Sequence, residues 1–302
     1  MHDPGSANAV APRAEIGERI ARMLACYQQG DQPGVGVWFS RSFEPVIVSK
    51  DQRSEVFLCR CAVLVFSPSV ALDWLSRARL LAKSYSLGDE EAPLLANLGL
   101  VHLELGELAR AFECLNKSLH SVEGSARAVV LNNLALVVAQ SDRPKALQLL
   151  ASAISCAARR HAAAILSNQM VLETEGAPLR PPDFEPLAKT AAEDCAVPLF
   201  DLVRWNHVRA LLEAGRPESA LDEAKARRPQ EREFRDGPLG LGRWANLHQE
   251  ILRALNRSVP PRLAAQAAAL TQSTESHAWL YRRHWALAPI PLDTPPGGQG
   301  AE

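Results

Sequence analysis

Aromatic side chains make up only 6% of this 302-residue sequence, while alanine and leucine dominate. Strands favour aromatic and β-branched residues, so the balance predicts helices rather than sheets. An excess of one charge is also missing: 33 basic against 34 acidic residues leave a formal net charge of −1. That argues against a general nucleic-acid or membrane-surface binder. The longest apolar run, residues 61–66, falls far short of the roughly 20 residues that cross a bilayer. Residues 1–13 are polar and lack the apolar segment of a signal peptide, so the expectation is a cytoplasmic protein.

Six cysteines are present, scattered at Cys26, Cys59, Cys61, Cys114, Cys156 and Cys195. Most fall inside apolar helical patterns, which reads as buried thiols in a reducing compartment rather than a disulfide framework. On a helix Cys59 and Cys61 point to different faces and make a poor metal pair. Other chemical signatures are also missing. There is no Gly-x4-Gly-Lys-Ser/Thr loop for phosphate, no His-Glu-x2-His and no Gly-x-Ser-x-Gly elbow. The glycine-rich stretch from Gly237 to Gly242 has the wrong spacing and reads as a linker. His277 and His284 lie seven apart with no third ligand in view. No cofactor, no metal and no catalytic residue is expected.

What the chain does have is helical periodicity, clearest over residues 93–119. Leu95, Leu98, Gly99 and His102 share one side of a first helix, and Ala111, Leu115 and Leu119 share one side of a second. Gly99 and Ala111 are small enough for two axes to approach closely. Gly106 supplies the positive backbone angle that stops the first helix and turns the chain. This stretch resembles a tetratricopeptide repeat, Trp-x2-Leu-Gly-x2-Tyr, then Ala-x3-Phe, then Pro. Leu95 stands for the Trp, His102 for the Tyr and Leu115 for the Phe, and the final Pro is missing.

Similar pairs extend along the chain. Residues 52–66 and 68–86 form one, with Ser67 as cap and Pro68 at the first helical position. Residues 126–140 and 144–159 form another, 161–173 and 183–195 a fourth, 200–214 and 217–228 a fifth. A last pair spans about 241–255 and 261–283, where Trp244, Leu247 and His248 repeat the opening spacing. A charged spacer over 229–240 precedes it. Arg282 and Arg283, with Trp279, Tyr281 and Trp285 nearby, read as a cap. The fold expected is all-α, an α-α superhelix of about six helical hairpins over residues 52–285. Two flanks differ. Residues 1–51 read as a disordered start, an amphipathic helix over 14–29 and an extended excursion over 31–51. Pro33, Gly34, Gly36 and Pro45 break helix there, and Val35, Val37, Trp38, Phe39, Val46, Ile47 and Val48 favour strand. Residues 286–302, rich in proline and glycine, read as a disordered tail unable to form a core.

One pattern points to function. Asn97, Asn133, Asn168, Asn206 and Asn246 each sit in the first helix of successive pairs, about one repeat apart. In the resembling family an Asn just before the Leu-Gly pair faces the concave groove. Asn carries two donors and an acceptor on a short stem, so it can pair with both the N–H and the C=O of an extended peptide. The same row also suits local helix-to-helix contacts, and the spacing leaves both open. Neighbours expected to line the groove include Leu100, Glu104, Gln140, Arg209, Gln249 and Arg253. Arg204, Arg209, Arg243 and Arg253 suggest a ligand with apolar anchors and an acidic end, or simply a solvated face. The family's carboxylate-binding variant needs Lys and Arg beside the Asn row; Lys is scarce on these helices, so that activity is not carried over.

The expectation is therefore a protein–protein interaction scaffold, a bacterial-style adaptor, chaperone or assembly factor, holding an extended segment of a partner protein or peptide. A peptide-responsive regulatory protein is the alternative. An enzyme subunit with a site near 31–51 is a third.

Overall fold

The computed structural model describes residues 7–174, 181–226, 238–272 and 289–292. Its helices pack in sequence order and form an all-helical repeat arrangement, with no strand among the described residues. The first four are α1 (Ala7–Gln28), α2 (Gln32–Ser49), α3 (Gln52–Arg60) and the short α4 (Ala62–Val65). Next come α5 (Pro68–Ser84), α6 (Glu91–Glu104), α7 (Leu108–Leu119), α8 (Gly124–Val138) and α9 (Arg143–Ser155). The chain continues with α10 (Arg159–Glu173), α11 (Pro181–Asp194), α12 (Val197–Glu213) and α13 (Pro217–Ala226). Last are α14 (Pro238–Ala254) and α15 (Pro261–Gln272).

The α6–α7 hairpin shows why the small residues matter. A Cβ placed on Gly99 would lie 2.5 Å from Leu115 Cγ and 3.2 Å from the Leu115 backbone nitrogen. Only glycine lets the two axes come this close. Gly106 sits at φ 76°, and Gly215 does the same after α12 at φ 71°. The α8–α9 turn uses other chemistry. Asp142 accepts the Lys145 backbone N–H at 3.0 Å, and Pro144 occupies the first turn of α9, where a missing N–H costs nothing.

The extended excursion expected over 31–51 is corrected: it is α2, a full helix. Asp31 caps it by accepting the Gly34 N–H at 3.1 Å, and Pro33 lies in its first turn, where proline is tolerated. Pro45 sits inside the helix, against local preference. Burial decides. Val35, Phe39, Ser42 and Val46 recur at helical spacing and are all buried. Phe39 and Phe43 then join Phe66 and Trp74 in an aromatic cluster with centroids 5.0 to 6.1 Å apart. Aromatic and β-branched residues here face a helical core rather than a sheet.

Smaller corrections follow. Helix α1 begins at Ala7, inside the range expected to be disordered. The single helix expected over 52–66 is two, broken at Cys61. Residues 238–240 of the expected spacer already belong to α14. The expected cap at Arg282 and Arg283, and His277 and His284, lie outside the described residues.

The apolar interior forms three successive patches. The first joins α1 through α6, the second runs from α6 to α12, and the third joins α12 through α15. Helix α1 also packs against α12, a contact between helices far apart in the order of the chain. The tail expected to have no core is corrected at residues 289–292: Ile290 and Leu292 belong to the second patch at 0% and 4% exposure.

Candidate peptide groove

Ile290 and Leu292 are held by their backbones. The Asn133 side chain donates through Nδ2 to the Ile290 carbonyl at 2.8 Å and accepts the Ile290 N–H at 2.9 Å. The Asn97 side chain repeats the arrangement on Leu292, donating at 3.1 Å and accepting at 2.9 Å. A carboxamide is a peptide group on a stem. Here it satisfies both main-chain groups of one residue, as a neighbouring antiparallel strand would. One donor and one acceptor on each side also fix which way each amide points. All four partners are buried, so each bond saves a polar group from a dry, unpaired state.

The clamp has its own supports. Asn97 Nδ2 also reaches the carbonyl of Arg60, at the end of α3, at 3.5 Å. Arg60 is itself buried and pairs with buried Glu90 at 3.7 Å. Asn133 sits in a chain of amides: Asn168 donates to Asn132 at 2.8 Å, and Asn132 donates to Asn133 Oδ1 at 3.1 Å. Each link orients the next, and α10 thereby fixes an amide on α8.

The five periodic asparagines thus divide. Asn97 and Asn133 grip a backbone. Asn168 positions Asn133 through Asn132, and Asn206 links α12 to α10 by donating to Ser167 Oγ at 2.9 Å. Asn246 is exposed and donates to Glu250 on its own helix at 3.1 Å. Within this chain, two members of the row thus hold a main-chain segment, two brace neighbouring helices and one bonds within its own helix.

The other expected lining residues sit apart from the clamp. Leu100 is buried in the first apolar patch rather than open to a groove. Glu104 is buried, and Gln140 is exposed at the end of the α8 turn. Gln249 donates to the Leu263 carbonyl at 3.2 Å and so ties α14 to α15; Arg253 donates to Gln249 at 2.9 Å. Arg209 bridges Glu213 and Glu250, and Arg204 is buried against Glu223. Two of the four arginines of the expected basic half, Arg204 and Arg209, are thus paired with carboxylates of this chain.

The tail, Asn132 and Ser167 are the residues that sequence reading missed. Their signals were the doubled asparagine at 132–133 and a proline at every second position of Pro289-Ile-Pro-Leu292. Beside Ile290 and Pro291 lies a pocket of about 250 Å³, walled by Tyr27, His161, Cys195 and Leu199 among others. Burial pushes the Cys195 thiol up to about 11 and that of Cys59 up to about 12, so both remain protonated and weakly nucleophilic at neutral pH. Among the described residues no group of three or more His, Cys, Asp or Glu could hold a metal ion. None of the described helices is long and apolar enough to cross a membrane.

Compared with known proteins, the chain matches no family model and no curated sequence.

Proposed function

We propose that this chain is a protein-interaction module of the tetratricopeptide type that holds an extended segment of a partner in its groove. The observation that carries the reading is the pair of two-way amide clamps, Asn97 on Leu292 and Asn133 on Ile290. They read main-chain groups on alternate residues of one segment, and these groups are common to every peptide. Side-chain selectivity then comes from the apolar surroundings of the two gripped positions.

The test is an array of extended peptides probed with the wild-type chain and with the Asn97→Ala, Asn133→Ala double variant. Each substitution removes one donor and one acceptor from the groove. The affinity of any true groove ligand drops at least tenfold, about 1.4 kcal/mol or more. Binding that is unchanged in the double variant overturns the reading.

A further inference from the structure

The groove already contains an occupant, the chain's own residues 289–292. We infer that this segment is a built-in competitor, and that the groove's ligand is an extended peptide with apolar residues at two alternate positions and no need for an N–H between them. The inference rests on the proposed groove function and names the ligand class it takes.

Three observations carry it. Among the described residues 289–292, Ile290 and Leu292 present both main-chain groups to an amide clamp. Pro291, between them, has no N–H, and the clamps ask for none at that position. Proline also holds the segment extended before it docks, so less freedom is lost on binding. Finally, the two gripped side chains are almost fully buried in the middle apolar patch, at 0% and 4% exposure. Backbone register and side-chain sockets are thus both satisfied by a Pro-Ile-Pro-Leu sequence. The run is antiparallel to the repeats, since the later residue, Leu292, meets the earlier helix α6 and Ile290 meets α8.

Competition within one chain has a predictable size. A tethered segment acts at an effective concentration of order millimolar. If the tail itself has micromolar intrinsic affinity, a free peptide then looks roughly a thousandfold weaker than it is. The pocket beside Ile290 and Pro291 leaves space that this segment does not fill. A partner segment with a larger side chain there gains contacts the tail lacks and displaces it.

The experiment uses the full chain and a labelled synthetic peptide of residues 288–295, read by fluorescence anisotropy. The release variant is Ile290→Asp with Leu292→Asp, which puts two charges where the patch is dry. A second variant, Ile290→Pro with Leu292→Pro, removes the two N–H donors together with the two buried side chains but adds no charge, and guards against misfolding, with far-UV circular dichroism as the control. Wild type binds the peptide weakly, and both variants bind it at least tenfold more tightly. Adding Asn97→Ala and Asn133→Ala to either variant abolishes binding. Equal affinity in wild type and variants overturns the competitor role. So does a wild-type dimer that is lost in the release variant, because the tail then serves a second copy. Release variants that ignore this peptide but bind array peptides through Asn97 and Asn133 overturn the ligand class and leave the groove reading standing. Loss of every asparagine-dependent ligand removes the groove reading as well.

Discussion

His207 lies on α12 at 8% exposure, and burial holds its imidazole below the ordinary value of 6.5. Glu223 and Glu185 pull the other way, while Arg204 and Arg216 depress it further. The folded pKa is therefore lower than the unfolded one. As pH falls, the unfolded chain takes up the proton first, so it binds more protons than the native state across that window. The stability tied to this residue is complete above about pH 6.5 and is lost as pH falls through the folded pKa. His207→Gln should flatten the fall in unfolding free energy between about pH 7 and pH 5, a slope bounded for one proton at about 1.4 kcal/mol per pH unit. Urea unfolding across that range checks it, and an identical slope in the variant removes His207 as the cause. At this scale the sequence was a partial guide to the groove. The asparagine period could be read because the repeat sets it. Which asparagines grip and which brace depends on whether a backbone or another amide lies opposite, and spacing carries no such information.

Helices α6 and α7 approach at Gly99, and the contact there is with the neighbour's backbone as well as its side chain. A methyl group on residue 99 meets Leu115 Cγ at 2.5 Å and Cδ2 at 2.8 Å, but also the Leu115 nitrogen at 3.2 Å. Leu115 is fully buried, so it has little room to turn aside. Gly99→Ala improves helix propensity by up to about 1 kcal/mol, yet overpacking costs about 1–3 kcal/mol. The net expectation is lower stability, seen as a reduced denaturation midpoint. Adding Leu115→Ala should not restore it, because the backbone contact remains and a cavity is added. A midpoint at or above wild type for Gly99→Ala would show that the hairpin is looser than this geometry. Hairpins of this kind were legible because glycine, proline and small residues mark their ends and contacts locally. Helix α2 was not. Its prolines and glycines were read as breakers, while the buried stripe Val35, Phe39, Ser42 and Val46 runs through a polar serine that masks the period. Ser42 is tolerated there because its hydroxyl donates to the Trp38 carbonyl at 2.7 Å. Residues 289–292 were illegible for a different reason: their partners are remote in sequence, and the alternating prolines carry no information on where the segment docks.

At the scale of the molecule, an array whose units touch only their neighbours should unfold piecemeal. Two features oppose that here. Helix α1 packs against α12, and the chain's last described residues bond to asparagines 157 and 195 positions earlier. The tail joins the middle apolar patch, which lies between the patch of α1 to α6 and that of α12 to α15. With these ties in place, opening either end exposes part of the centre. Native-state hydrogen exchange in rising urea should therefore show α6, α8 and α12 losing protection together in the wild type. In the Ile290→Asp, Leu292→Asp variant the tie is gone, so protection should be lost in separate steps. The apparent urea dependence of global unfolding should then fall, because each step exposes less surface. A variant that keeps a single concerted transition of unchanged steepness would show that the segment only occupies the groove, and that closure of α1 on α12 alone holds the array together.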